Sequence, residues 1–321
     1  MHTVYELQQL IEKAIPNIQY PSHPKNLYEP LSYIMNLGGK RLRPALVLIA
    51  TDMFNGDIMQ AMPAALAIET FHNFTLIHDD IMDNAPLRRG KLAVHEKWGT
   101  NNAILSGDVM MVEANKQLAQ VDSSILKDVL NTFNATAQGV CEGQQLDMEF
   151  ETRDNVSIPE YIDMIRLKTA VLVGGAMKLG AIIAKASTED AENIYSFGEN
   201  LGIAFQLQDD ILDVYGDPEK FGKQVGGDIK SNKKTFLLLS LQQRLSAEDQ
   251  LVLEKQFTNA TDAKVENVTN LYNQYQIKEL ATAEMQQYLS KAFEALDLIA
   301  IPDHQKSQLI QLANELMNRE R

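Results

Sequence analysis

Two stretches of the chain set carboxylates at positions i, i+1 and i+4. The first runs Leu76-Ile77-His78-Asp79-Asp80-Ile81-Met82-Asp83, the second Gln206-Leu207-Gln208-Asp209-Asp210-Ile211-Leu212-Asp213. On a helix, residues four apart share a face, so Asp79 with Asp83, and Asp209 with Asp213, each form a two-pronged anionic pair. Carboxylates gathered without a counter-ion repel, which points to a bound cation. Oxygen ligands with no Cys or His beside them select Mg2+ over zinc. Mg2+ in turn keeps waters and is completed by phosphate oxygens rather than by a full protein cage. A lone motif of this kind is usually a solvated acidic helix face. Two copies, both inside apolar sequence, argue against that reading here.

Cations of the kind that hold phosphate lie between and around the two motifs. Gly38-Gly39-Lys40-Arg41-Leu42-Arg43-Pro44 precedes the apolar run Ala45 to Ala50. Two glycines opening a helix leave backbone N–H groups accessible, and cations beside them suit a phosphate. Lys40 and Arg43 are three apart and share a face of such a helix, while Arg41 points elsewhere. Pro86-Leu87-Arg88-Arg89-Gly90 reads as a turn carrying adjacent arginines, which can grip phosphate oxygens bidentately. Lys168-Thr169 falls in a helix read over Tyr161 to Leu172. Lys223 lies among glycines in Phe221 to Asp228, and Asn232-Lys233-Lys234-Thr235 leads into a further helix. Singly, each cluster reads as a solvated basic face; the alternation of acids and bases is what fits two diphosphates and several Mg2+ ions. Of the histidines His72, His78 and His95, a core or supporting role is the ordinary one for the last two. No nucleophile elbow, Walker A loop, dinucleotide fingerprint or zinc spacing is present.

The elements that position these residues are helical almost throughout. Ala281, Met285, Tyr288, Leu289, Ala292 and Leu296 make one apolar stripe of helical period, and strand-like alternation is scarce. Ser157…Glu160 with Pro159, Ser187…Asp190 and Ser246…Asp249 mark helix starts. Gly174, Gly175 and Gly180 in helix-like sequence let helices approach closely. With 321 residues, 45% hydrophobic and 22% charged, a large core is within reach and wholesale disorder is excluded. The net charge of −14 argues against nucleic acid or an anionic membrane as partner. The single cysteine, Cys141, rules out an intramolecular disulfide and fits a reducing compartment. The run Ala170 to Ala184 is short and carries Lys178, so it reads as a buried helix and not a membrane span. No targeting signal is evident, and the expected location is cytoplasmic.

With these residues in place, the chain resembles the trans-isoprenyl diphosphate synthases of the polyprenyl synthetase family, which make farnesyl and geranylgeranyl diphosphates. The matching stretches occur in order: Gly38–Pro44, His72 to Gly90, Lys168-Thr169, Gln206 to Asp213 and Gly222 to Thr235. The C-terminal third is only generically similar. The resemblance implies an all-α, single-domain helical bundle of the isoprenoid synthase type over 1–321, built around a deep central cavity and usually a homodimer. It implies a transferase that joins isopentenyl diphosphate to a dimethylallyl, geranyl or farnesyl primer and releases pyrophosphate. By the same resemblance, Lys40, Arg43, His72 and Arg89 hold isopentenyl diphosphate, and Arg88, Lys168, Thr169, Gln206, Lys223 and Lys233 hold the allylic diphosphate. Asp79, Asp83 and Asp209 bridge Mg2+ directly, with Asp80, Asp210 and Asp213 ligating or orienting through water; about three ions are expected with substrate bound. Asn232 stands where many bacterial members have Gly, as in eukaryotic farnesyl synthases. The first motif lacks the two-residue insertion of typical bacterial farnesyl synthases.

The resemblance also bears on product length. Aromatics at both positions four and five before the first motif accompany C15 products in animals, whereas an aromatic only at position five accompanies C20 in archaeal-type enzymes. This chain has Thr75 and Phe74 there, the second pattern, with Phe71 one turn below Thr75 as the next candidate floor. Geranylgeranyl diphosphate is therefore the expected product, with farnesyl or a longer prenyl diphosphate as alternatives. Three rivals differ in kind. A class I terpene cyclase normally replaces the second aspartate motif and needs no isopentenyl site. A non-catalytic subunit of a heteromeric synthase should have lost acids or bases that this chain keeps. A cation-binding scaffold explains the acids but not the matched basic clusters.

Overall fold

The computed structural model describes residues 1–217, 225–258 and 263–317. Its elements are α1 (Val4–Ala14), α2 (Lys25–Met35), α3 (Leu42–Met53), α4 (Ile58–Met82), a hairpin of β1 (Leu87–Arg88) and β2 (Lys91–Leu92), α5 (Val94–Trp98), α6 (Thr100–Leu118), α7 (Leu126–Thr152), α8 (Ile158–Ile165), α9 (Val171–Ile183) and α10 (Thr188–Tyr215). There follow α11 (Gly227–Lys230), α12 (Phe236–Gln242), α13 (Ala247–Thr258), α14 (Lys264–Gln274), α15 (Ile277–Asp297) and α16 (Asp303–Met317). Among the described residues the hairpin is the only strand pair, so the fold is all-α as the periodicity requires. No helix there is long and apolar enough to cross a membrane.

The described residues group into two compact units, each made of three separate stretches. One takes Met1–Ala137, Gly175–Tyr195 and Ile299–Leu309; the other takes Gln138–Gly174, Ser196–Leu298 and the chain from Ile310. Neither is a contiguous segment.

In the first unit α4 is the axial helix, packed against α3 and α6. It is apolar nearly all round, the pattern of a helix surrounded by others, and Ala61, Ala64, Ala65, Ala67, Ile68, Phe71 and Ile77 are buried along it. Asp57 caps its start by accepting from Met59 N at 2.8 Å. Its end is a Schellman motif: Asn84 takes the left-handed conformation (φ 49°), Ala85 N bonds to Asp80 O and Asn84 N to Ile81 O. The helix therefore stops just after the first aspartate motif.

In the second unit the C-terminal half of α10 carries Ile203, Leu207, Ile211 and Val214 as a buried stripe, clustered with Phe236, Leu237, Val268, Tyr272 and Ile277. The stripe expected on α15 is present, with Ala281, Met285, Ala292 and Leu296 buried. Ser157 and Glu160 form a full capping box at α8, and Ser187 and Ser246 accept from the N–H groups of Asp190 and Asp249 at 3.0 and 3.1 Å. The helix read over Tyr161 to Leu172 is interrupted. α8 ends at Ile165 and Arg166–Ala170 forms a π turn before α9. The reason is close packing at two glycines: a Cβ on Gly143 would sit 2.1 Å from Lys168 N, and one on Gly202 would sit 2.7 Å from Ala170 Cα. The wider turn re-aims Lys168 and Thr169 relative to a regular helix, as single π turns at functional sites commonly do.

Candidate functional site

The basic residues of the first unit are arranged by backbone that only glycine adopts easily. Gly38 and Gly39 have φ of +81° and +137°, and a Cβ on Gly39 would lie 3.0 Å from the Arg89 guanidinium carbon. α3 begins at Leu42 with Arg41 as N-cap in the left-handed region (φ 47°), so Lys40 lies ahead of the helix and is exposed. The shared helical face expected for Lys40 and Arg43 is therefore not formed, because the chain turns through left-handed backbone before the helix begins. Arg41 does point elsewhere. Its guanidinium, 1% exposed, bonds to Glu12 at 2.8 Å, Glu69 at 2.5 Å and Met35 O at 2.6 Å. In the β1–β2 hairpin the turn residues Arg89 and Gly90 both have positive φ, 52° and 74°, the type I′ signature. The turn sends the two arginines apart: Arg89 Nη1 donates to Gly38 O, and Arg88 pairs with Asp80.

His72 is at the centre of these cations. Arg43 Nη1 lies 3.4 Å from His72 Nε2. Burial, and then Arg43, Arg89, Arg88 and Arg41, hold the imidazole well below its usual protonation range. His72 is accordingly neutral at physiological pH, and the charges of Arg43, Arg89 and Arg88 around it make a donor-rich region suited to phosphate. A depressed native pKa means that the unfolded chain binds the proton first as pH falls. Stability is then unaffected above about pH 6.5 and is lost below it, by at most ~1.4 kcal/mol per pH unit. His72→Gln should flatten the fall of the urea midpoint between neutral and mildly acid pH. Identical pH slopes in the two proteins would remove this charge assignment.

The first aspartate motif occupies the last turn of α4, and Asp83 is the C-cap. The second occupies the last two turns of α10. Helix C-termini carry partial negative charge, so carboxylates there are unfavourable unless a cation is near. Within each motif the middle carboxylate turns inward. Asp80 is fully buried and paired with Arg88. Asp210, 4% exposed, accepts from Tyr161 Oη and, at 3.3 Å, from Phe236 N. Burial pushes the Asp210 carboxyl up to about 7, while the Tyr161 hydrogen bond pulls the other way. Asp213 accepts from Asp228 N at 3.0 Å. Asp79 and Asp209 are partly exposed, and Asp83 is exposed. Among the described residues no three Asp, Glu, His or Cys side chains converge to hold an ion by themselves.

The polyprenyl synthetase family pattern matches residues 24–275, which span segments of both units. The chain belongs to this family. It is 36% identical over 313 residues to the geranylgeranyl diphosphate synthase of Methanosarcina mazei, covering 97% of this chain and 95% of that one. It is 31% identical to the geranylfarnesyl diphosphate synthase of Natronomonas pharaonis, covering 98% and 96%. A crystal structure of a geranylgeranyl pyrophosphate synthase superposes with a TM-score of 0.93 at 43% identity, over the whole of both chains.

For a polyprenyl synthetase the placement is informative. The first unit brings together Arg43, His72, Arg88 and Arg89. In the second, Lys168 pairs with Asp147, a residue the sequence reading did not single out. Lys234 donates to Phe150 O, and Lys233 is exposed beside it in sequence. Thr169 and Gln206 are partly buried, and Lys223 lies outside the described residues. Tyr161 was also missed as a partner of Asp210; no sequence signal separates a buried tyrosine of this kind from an ordinary core aromatic.

Proposed function

We propose that this protein joins isopentenyl diphosphate to an allylic diphosphate in a head-to-tail condensation that releases pyrophosphate, with geranylgeranyl diphosphate as product. The observation that carries this reading is the pair of aspartate motifs, each at a helix C-terminus with phosphate-type cations in its own unit. Residues 1–321 are read as one catalytic domain, because the family match runs through both units. Asp79 and Asp83 of the first motif and Asp209 of the second are the residues that would hold Mg2+, with Asp213 assigned to the second motif by the same resemblance. Bound there, the ion supplies Lewis-acid neutralisation of charge on the leaving diphosphate.

The chain's own residues do the rest. Lys168, Thr169, Gln206, Lys233 and Arg88 would grip the allylic diphosphate, with Lys223 assigned the same role by resemblance. Their charge stabilises the anion that grows as the allylic C–O bond breaks heterolytically. Lys40, Arg43, His72 and Arg89 would hold isopentenyl diphosphate so that its double bond meets the allylic cation, and proximity lowers the barrier. The new C–C bond forms as one proton leaves the isopentenyl unit; the departing pyrophosphate is the proposed acceptor. Asp80 and Asp210 act as supports for their motifs.

A second copy of the chain is the proposed partner. Ile104, Leu105 and Val112 make an exposed apolar stripe on α6 at 40, 56 and 56% exposure. A solution mass of one chain by sedimentation would remove that proposal. The charge of the protein gives nucleic acid no purchase, and the cytoplasm is the proposed location.

For product length, Phe74 is partly buried, its ring 4.7 Å from His78 and 5.6 Å from Phe71, which packs edge-on to Phe133 at 5.4 Å. Phe71 is fully buried, and Thr75 Oγ1 donates to His72 O at 2.8 Å. The test is turnover of labelled isopentenyl diphosphate with each allylic primer and Mg2+, products sized after dephosphorylation. A C20 product is expected; the geranylfarnesyl-forming relative makes a longer one the outcome to exclude. Phe74→Ala should then lengthen the product with turnover retained. Unchanged length with a stability loss of ~3–5 kcal/mol would make Phe74 core and no gate.

A further inference from the structure

We propose that Lys264, outside every stretch that carries the resemblance, is a positioning residue for the allylic-diphosphate half of the site. This rests on the function proposed above. Residues 226–236 form a strap whose two ends are fastened to the second aspartate motif. At one end Gly226 N donates to Asp213 O at 2.6 Å and Asp228 N to Asp213 Oδ2 at 3.0 Å. At the other end Phe236 N donates to Asp210 Oδ2. Lys233, a proposed diphosphate ligand, stands on this strap, and its N–H bonds to Asp228 O at 2.9 Å.

Lys264 opens α14 and clips the middle of the strap from outside. It is 4% exposed, and its Nζ donates to Lys230 O at 3.2 Å and to Asn232 Oδ1, with the Phe257 ring centroid 5.4 Å away. These partners are neutral oxygens and an aromatic face. Among the described residues no carboxylate pairs with this buried ammonium, so ion pairing there does not explain it. Its contacts instead fix two things: the C-terminal carbonyl of α11, and the side chain of Asn232. Asn232 has φ 57°, a left-handed conformation that a non-glycine residue holds only when its side chain or surroundings secure it. The residue after it is Lys233. Releasing the clip therefore frees the backbone that aims Lys233, without touching any residue assigned to isopentenyl diphosphate.

Two variants separate positioning from mere capping. Lys264→Met keeps the length and removes the donor. Asn232→Gly removes the acceptor and still permits the left-handed backbone. Binding of an unreactive thiolo analogue of the allylic diphosphate is measured by calorimetry with Mg2+, alongside KM for both substrates and amide exchange over Ser231–Lys233. Each single variant should weaken analogue binding and raise the allylic KM by ~10-fold, the double variant no further, with the isopentenyl KM unchanged and exchange faster. Analogue binding within about twofold of wild type overturns the proposal, as do equal losses for both substrates. If Lys264→Met fails to fold, Asn232→Gly, at an exposed residue, decides alone. A wild-type protein that binds no analogue defeats the functional reading itself, and the proposal with it.

Discussion

Asp79→Ala and Asp209→Ala will each lower condensation turnover by ~10³-fold or more, the loss expected when several kcal/mol of metal-borne charge stabilisation disappears from the transition state. Neither change should harm the fold. Both side chains are partly exposed at helix C-termini, where a carboxylate opposes the local partial charge. Asp210→Ala should behave in the opposite way. Its carboxyl is buried and accepts from Tyr161 and Phe236 N, so truncation strands two buried donors and destabilises the second unit. Turnover near the parental value in either the Asp79 or Asp209 variant sinks the metal assignment. A thermally silent Asp210→Ala sinks the division of labour within the motif.

That division shows where sequence reasoning reached its limit. The i, i+4 pairing of Asp79 with Asp83 and of Asp209 with Asp213 follows from helical period, and both motifs do lie on helices. The middle aspartates could not be placed the same way. Their inward turn depends on partners distant in sequence or set by a turn: Tyr161 is 49 residues from Asp210, and Arg88 meets Asp80 across the turn between α4 and β1. The same limit explains the π turn. Apolar periodicity over Tyr161 to Leu172 reads as one helix, and what breaks it is the backbone contact allowed by Gly143 and Gly202. Capping, in contrast, is local chemistry, and Ser157, Ser187 and Ser246 sit where their side chains predict. Lys40 marks the boundary between the two cases. The double glycine read as the opening of a helix that would include Lys40, but the helix starts at Leu42 behind Arg41, whose reach to Glu69 needs the tertiary fold.

Arg41→Ala should be the most damaging single change to the first unit, at ~3–5 kcal/mol, because it leaves the Glu69 charge buried without its partner. The Glu69 side chain is 3% exposed, and Asn73 Nδ2, at 3.1 Å, is a neutral donor that cannot replace a cation. Against a typical stability of ~5–15 kcal/mol, that loss puts the protein close to unfolding at physiological temperature. Arg41→Lys should rescue little, since a point charge cannot serve Glu12, Glu69 and Met35 O together as the planar fork does. Removing both charges, as Arg41→Met with Glu69→Met, should recover most of the stability, since a buried pair replaced by apolar groups of similar volume is often neutral. The rescued protein should still bind isopentenyl diphosphate poorly. The left-handed turn at Arg41 loses the anchor that holds it, and with it the path from Gly38 and Gly39 to Arg43. Urea unfolding of the four proteins, with isopentenyl KM for those that fold, makes the check. A loss below ~1 kcal/mol for Arg41→Ala would mean that the ion pair with Glu69 does not account for the shape of this loop.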